Sequence, residues 1–398
     1  GLAALVRHPE VAARLDLVPD LGDPAAFVPL FLVPVAVQWW ASWYPGAEPG
    51  GGGYVAQRML AARSEGDAVG ATLLFNVAHY ALRPWPWIVV ALASVVVFPD
   101  LESLARAFPA VDPQVVRDDL AYPAMLTFLP RGLLGLVVAS LVAAFMSTIS
   151  THLNWGSSYV THDFYRRFLR PEAGPRELVL VGRLSTVALM VLAALVALEL
   201  ENALQAFQIL LQIGAGTGLL FLLRWFWWRI NAWSELAAMT VSFLVAVALQ
   251  IGSDLPAWKE LLIGVAVTTV CWVGVTLLTP PSDPETLRSF CRLTRAGGPG
   301  WRRVTGGAAS GGDPWPVPLG IACMLAGCGA VYAALFATGN LIYGRTLSAL
   351  LLAAAAVACG LLLVRLWRRL AVVQGGREPD GRGAAATESH PNDPRSPR

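Results

Sequence analysis

The stretch VASLVAAFMSTISTHLNWGSSYVTHDFYRRF, residues 138–168, decides the fold. It runs without Asp, Glu, Lys or Arg as far as Asp163, longer than the roughly 20 residues a helix needs to cross a bilayer. Small and hydroxylated side chains accumulate inside this apolar run. At 100° per residue, Ser140, Ala144, Ser147, Thr148, Thr151, Asn154 and Ser158 fall in a stripe about 100° wide, with Ser150 at its margin. The stretch therefore reads as a membrane helix with one polar face.

The rest of the chain has the same character. Of 398 residues, 56% are hydrophobic and 14% charged, far below the roughly 25% charged share of soluble domains. Leu-, Val- and Ala-rich runs recur without the period-2 alternation of a barrel. The predicted class is an all-α, multi-span helical bundle. Nine spans are expected, at 26–44, 67–97, 131–160, 176–199, 203–228, 232–252, 257–279, 316–338 and 342–368. Arginine clusters at 58–63, 166–176, 224–229, 288–303 and 365–378 occupy every second connection. The positive-inside rule puts them in the cytoplasm, with the N-terminus outside and the C-terminus inside. The net charge is only +2 and the arginines form no single basic face, which excludes nucleic acid as a partner. The lipid bilayer is the expected partner surface. Cys271, Cys291, Cys323, Cys328 and Cys359 show no CxxC and no His at metal spacing, so they read as packing residues. The chain opens at Gly1 without a visible signal peptide, and the expectation is a fragment lacking its true start.

The expected organisation is an extracellular segment over 1–25, a core over 26–235, additional membrane helices over 236–279, a cytoplasmic loop over 280–315, a last helix pair over 316–369 and a disordered tail over 370–398. The tail is rich in Gly, Pro, Arg, Ser and Asp and too poor in apolar side chains to fold alone. DLAYPAMLTFLP, residues 119–130, is apolar but too short to span, and reads as a helix lying on the bundle.

Several features bear on chemistry. In QWWASWYPGAEPGGGGYVAQRMLAAR, Pro45, Gly46, Pro49 and Gly50 to Gly53 interrupt a would-be helix. Such a break survives in hydrocarbon only where protein or water covers it, and freed carbonyls at broken helices are a transporter's binding device. Gln38, Trp39, Trp40, Trp43 and Tyr44 precede it and would line a pocket, with Glu48 the only acid nearby. The alternative is a plain loop flanked by an interfacial aromatic belt. On the polar stripe, a carbonyl at Ala144 and hydroxyls one turn on offer the neutral oxygens that hold Na⁺ weakly enough to release it. Close helix packing through small residues explains the same stripe. His79 and Arg83 are ionisable groups within the second span, ahead of the kinking prolines of PWPW. The histidine serves function or packing. Gln208 and Gln212 face one way, as pore-lining amides or as partners of a helix-to-helix hydrogen bond. RWFWWR, residues 224–229, reads as an interfacial anchor.

Together these stretches resemble the sodium:solute symporter family, transporters with the LeuT-type inverted-repeat fold. GYVAQRMLAAR is similar to the segment after the family's broken sixth core helix, HYALRPWPW to its seventh, and AAFMSTISTHLNWGSSYVTHDFYRR to its eighth. FQILLQIGAGTGLLFLLRWFWWRIN is similar to the tenth. The resemblance covers residues 26–235, and implies the second inverted repeat, core helices six to ten, followed by about four extra C-terminal helices. It implies a main sodium site at Ala144, Ser147 and Thr148, and in some members a second at Ser147, Ser150 and Thr151. The family's other sodium ligands lie on core helices one and five, which this chain does not hold. Solute contacts carry over to Trp40, Trp43, Tyr44, Glu48, His79 and Gln208, although the PGAEPGGGG insert departs from the sugar transporters' pattern and puts a sugar in doubt.

The expected function is secondary active transport in the plasma or inner membrane: Na⁺ drives uptake of a small polar organic solute, without covalent chemistry. Two other readings stand beside it. One is a transporter-like sensor module, against which the short polar tail argues; the other is proton coupling through His79.

Overall fold

The computed structural model describes residues 1–40, 52–200, 203–294, 296–306 and 317–375, with side chains omitted at 52–54, 114, 203 and 371–375. The described residues form helices and turns only, with no strand among them. Among the described residues, eight helices are long and apolar enough to cross a membrane. They are α2 (Glu65–Val97), α3 (Arg131–Leu169), α4 (Pro175–Glu199), α5 (Ala203–Leu223), α6 (Ala232–Gly252), α7 (Ala257–Leu278), α8 (Val317–Ile342) and α9 (Thr346–Gly375). The chain is a multi-span all-α membrane protein.

The first expected span is shorter than its hydropathy implied. Helix α1 (Pro24–Ala36) stops at Val37, whose φ of −131° leaves the helical region, and a single 3-10 turn, Gln38–Trp40, follows. Pro29 and Pro34 remove two N–H donors, and the middle of α1 is wound as a π-turn over Val28–Leu32. The Pro/Gly insert at 45–53 falls almost wholly within 41–51, outside the described residues, and helix resumes at Gly52–Leu60. The second span carries its distortion where Pro84 predicts it: a π-turn over Val77–Leu82 precedes the proline, and the Arg83 N–H reaches the Ala78 carbonyl. Helix α9 continues to Gly375, past the end expected for the last span.

The chain divides into two compact units. One comprises 1–6, 15–86 and 211–398. Here α6 and α7 bury every fourth position: the short side chains Ser234, Ala238, Ser242 and Ala246 on one helix, and Gly264, Thr268 and Thr276 with the bulky Trp272 on the other. Small residues let two backbones approach and bond across, as the Thr276 hydroxyl does to Ser234 Oγ at 2.6 Å. Helix α5 joins them at Gly216, where a Cβ would meet both Ser242 and Thr268. Asn231 starts α6 with a reciprocal cap to Ser234. Helices α8 and α9 form a hairpin turning at Gly344, where φ is +76° and only glycine is unstrained. The Trp85 ring lies against Gly339, leaving no room for a Cβ, and its Nε1 donates to the Ala81 carbonyl at 3.1 Å.

The link expected as a loop at 280–315 is partly structured. Helix Pro284–Thr294 buries Leu287 and Cys291 against Trp301, and Trp301 Nε1 donates to the Trp225 carbonyl at 2.9 Å. The RWFWWR segment is therefore turn, not helix, and seats this link.

The other unit comprises 7–14 and 87–210. Its centre is the α3–α4 pair, which approaches closely at Gly156, where Leu189 Cδ1 lies 3.0 Å from an ideal Cβ. The short helix Ala121–Leu126, within the stretch expected to lie on the bundle, sets Tyr122 against Trp87, ring centroids 5.2 Å apart. The apolar side chains of α3 stay exposed, Leu136 at 68% and Phe145 at 66%. Faces of this kind need hydrocarbon or another protein segment as solvent.

Candidate functional site

The polar stripe of α3 is built by the helix itself. Thr148 Oγ1 donates to the Ala144 carbonyl at 2.9 Å, Thr151 Oγ1 to the Ser147 carbonyl at 2.8 Å and Ser140 Oγ to the Val137 carbonyl at 2.7 Å. Hydroxyls bond backward in this way in many membrane helices. The chemical result is specific: the threonine protons point into the helix, and the oxygen lone pairs point away from it. Ala144, Ser147, Thr148, Ser150 and Thr151 are all exposed, so none of the described residues covers their face. A row of neutral acceptor oxygens suits a hard monovalent cation better than an anion.

Further along α3 the stripe enters a cavity of about 410 Å³ against α4, lined by Asn154, Ser157, Ser158, Thr161 and His162 with Gly182 opposite. Thr161 is 4% exposed and its hydroxyl has no partner among the described residues. One turn on, in the DFYRR segment, Tyr165 donates to Glu177 Oε1 at 2.6 Å, and Arg170 Nε lies 3.7 Å from the same oxygen. These contacts tie the π-wound end of α3 to the first turn of α4.

The other unit holds the aromatic candidates. Trp40 is half-buried, and its Nε1 donates to the Ala215 carbonyl of α5 at 3.2 Å, while Trp39 meets it edge-on at 5.4 Å. Beneath them Val33, Leu211, Ala215 and Leu261 form one buried cluster joining α1, α5 and α7. Trp43, Tyr44 and Glu48 lie outside the described residues. His79 is half-buried in the π-turn, stacked on Phe75 at 4.9 Å, and Arg83 approaches its Nδ1 at 3.0 Å. A guanidinium only donates, so in this contact Nδ1 is the acceptor. Gln208 is half-buried.

Gln212 takes the duller of its two expected roles, bonding helix to helix: Nε2 donates to Glu260 Oε2 on α7 at 2.8 Å. Glu260 escaped notice in the sequence because it lies in the first turn of its span, where an acid reads as a helix-end residue. The rule that picked out His79 and Arg83, an ionisable group in an apolar window, applies to it equally.

Residues 29–242, more than half of the chain, match the model of the sodium:solute symporter family. The sodium/glucose cotransporter of Vibrio parahaemolyticus is 28% identical over 240 residues, 58% of this chain and 44% of that protein. The sodium/mannose cotransporter SLC5A10 of Bos taurus is 33% identical over 202 residues, 47% and 33% of the two chains. The osmoregulated proline transporter OpuE of Bacillus subtilis (strain 168) is 30% identical over 161 residues, 39% and 32%. The chain thus spans less than half the length of these curated relatives. With the matched region running from α1 into α6, across the polar stripe and the Trp40 contact, the chain belongs to the sodium:solute symporter family.

Proposed function

We propose that the full-length protein is a sodium-coupled symporter of a small polar organic solute, resident in the plasma or inner membrane with this chain's N-terminus outside. The observation that carries the ion assignment is the backward bonding on α3, which leaves the Thr148 hydroxyl oxygen 2.9 Å from the Ala144 carbonyl oxygen with its proton already spent. Two such oxygens with Ser147 give half of a shell for Na⁺. Ser147, Ser150 and Thr151 repeat the arrangement for a second ion. The remaining oxygens come from the half of the transporter outside this chain, which docks onto the uncovered face. Sodium entering this interface drives closure, and one repeat rocks against the other.

Trp40, Trp43, Tyr44, Glu48, His79 and Gln208 are the proposed solute contacts. Trp40 is held for this by its bond to Ala215, which fixes the indole plane. The relatives' names cover sugars, a polyol and an amino acid, and small polar organic solute is their common chemistry.

The test is uptake into proteoliposomes holding the full-length protein, with pooled radiolabelled sugars, polyols and amino acids. An inward sodium gradient should drive accumulation of at least one solute, and Ser147→Ala with Thr148→Ala should weaken it. Accumulation that follows a pH gradient and ignores sodium would refute the proposal and move coupling to His79.

A further inference from the structure

Glu260 and Gln212 are each short of a partner. Glu260 is 7% exposed in an apolar membrane helix, and among the described residues its carboxylate accepts one hydrogen bond, from the neutral Gln212 amide at 2.8 Å. Gln212 is 6% exposed, and its amide oxygen is buried without a donor among the described residues. Among the described residues no cation pairs with the carboxylate, and no donor reaches the amide oxygen beside it. Turning the amide over changes which atoms meet but leaves oxygen against oxygen, a worse mismatch.

Among the described residues, the helices packed here supply no charge to cure this. On α7 itself Lys259 lies over the Trp258 ring, its Nζ 5.4 Å from the centroid, and Asp254 sits in the preceding turn. Neither the 28–36 segment of α1 nor any position of α5 carries an ionisable residue. Helix α6 carries only Glu235, at the end where Ser234 meets Thr276, the far end of α7 from Glu260. The first-turn position of Glu260 lends it the partial charge of a helix N-terminus, which is less than a unit charge. Burying a carboxylate without a counter-charge is costly enough that such groups in membrane helices are paired or bind ions.

We propose that Glu260 and the Gln212 amide oxygen form a binding site for one small cation, sodium or a proton, separate from the stripe on α3. Sodium would sit between the two oxygens as a hard cation on oxygen ligands. A proton would convert the carboxylate to an acid that donates to Gln212 Oε1 while accepting from Nε2, satisfying both groups of the amide. Gln212 stands one turn before Ala215, whose carbonyl holds Trp40, so occupancy here reaches the end of the broken helix through a single turn of α5. The site stands on the packing of α5 and α7 alone, and does not depend on the α3 assignment.

Glu260→Gln is the informative variant, because a second amide supplies both a donor and an acceptor to Gln212 and removes the need for a cation. The purified full-length protein in detergent is measured for saturable ²²Na⁺ binding at fixed pH, and for its melting temperature across pH without sodium. One fewer ²²Na⁺ per transporter in Glu260→Gln identifies sodium as the occupant. An unchanged sodium count with a flattened pH dependence of melting identifies the proton. If neither changes, the proposal is overturned. Should Glu260→Gln fail to fold, Gln212→Leu keeps the carboxylate and removes the amide oxygen, and should weaken sodium binding about tenfold or alter the pH profile of melting. No change in either would overturn the proposal. Ser147→Ala with Thr148→Ala, run in parallel, reports on the α3 reading separately: loss there with none in Glu260→Gln sinks this proposal only, and the reverse sinks only that one.

Discussion

Gly216→Ala offers a worked test of how α5, α6 and α7 fit together. An ideal Cβ at Gly216 lies 2.8 Å from Ser242 Oγ, 2.8 Å from Thr268 Cγ2 and 2.9 Å from Thr268 Cβ. The last of these is decisive, since a Cβ is fixed to the backbone of α7 and cannot swing aside. Thr268 is fully buried and β-branched, so its rotamer has little freedom in the helix. Relief requires the helices to separate by several tenths of an ångström, an overpacking cost of about 1–3 kcal/mol. Replacing glycine by alanine in a helix returns about 1 kcal/mol, leaving a net destabilisation of about 1 kcal/mol. The assay is thermal unfolding in detergent of wild type, Gly216→Ala, Thr268→Ala and the double variant. Thr268→Ala removes Cγ2 but keeps the Cβ, so it should recover only part of that cost in the Gly216→Ala background, about 0.5 kcal/mol, a positive coupling in the double-mutant cycle. The separation should also loosen the neighbouring Ala215 carbonyl from Trp40. Stabilisation of Gly216→Ala by the full helix-propensity gain, with no coupling to Thr268, would refute this packing.

Three further outcomes are expected. Trp40→Phe keeps the aromatic face but loses the bond to Ala215, worth about 0.5–1.5 kcal/mol, so the KM for whichever solute the uptake screen identifies should rise up to about tenfold with little change in kcat; an unchanged KM would remove Trp40 from the solute site. Asn231→Ala loses the α6 cap and the Nδ2 bonds to Thr279 Oγ1 and the Pro280 carbonyl, both 3.0 Å, and should cost about 2–3 kcal/mol in thermal unfolding, whereas a loss below about 0.5 kcal/mol would contradict the cap. Asp100 caps Leu101–Ala107, and the Ser103 backbone N–H, then its side chain, hold the carboxyl below the usual carboxylate range. Its folded value being lowered, the cap is fully effective above that range and is lost as pH falls through the lowered value; amide protection over 101–107, relative to the intrinsic exchange rate at each pH, should fall with acid in wild type and much less so in Asp100→Asn.

Much of this architecture is written in local pattern. The bounds of α6 and the start of α7 follow from apolar length and from Asn231, Pro256 and Gly252 at their ends, since hydrocarbon allows few alternatives to an unbroken helix. The stripe on α3 was equally legible, because periodicity places Ala144, Thr148 and Thr151 on one face whatever they touch. Its internal hydrogen bonds were not read, although backward bonding of threonine needs only the helix itself. Partners distant in sequence were out of reach. Nothing in QILLQ announces that Gln212 meets an acid 48 residues on, and nothing in RWFWWR announces that Trp301 will bond beneath it. The early end of α1 at Val37 was also hidden, since mean hydropathy is blind to two prolines that remove donors while adding apolar surface.

The central claim is that the hydroxyl row of α3 binds sodium. Equilibrium ²²Na⁺ binding to the purified full-length transporter, wild type against Ser147→Ala with Thr148→Ala, tests it without knowing the solute. Each lost contact between an oxygen and a charge is worth about 1.5–3 kcal/mol, so the variant should bind sodium at least about tenfold more weakly. Sodium affinity and stoichiometry equal to wild type in a variant that melts normally would contradict the claim.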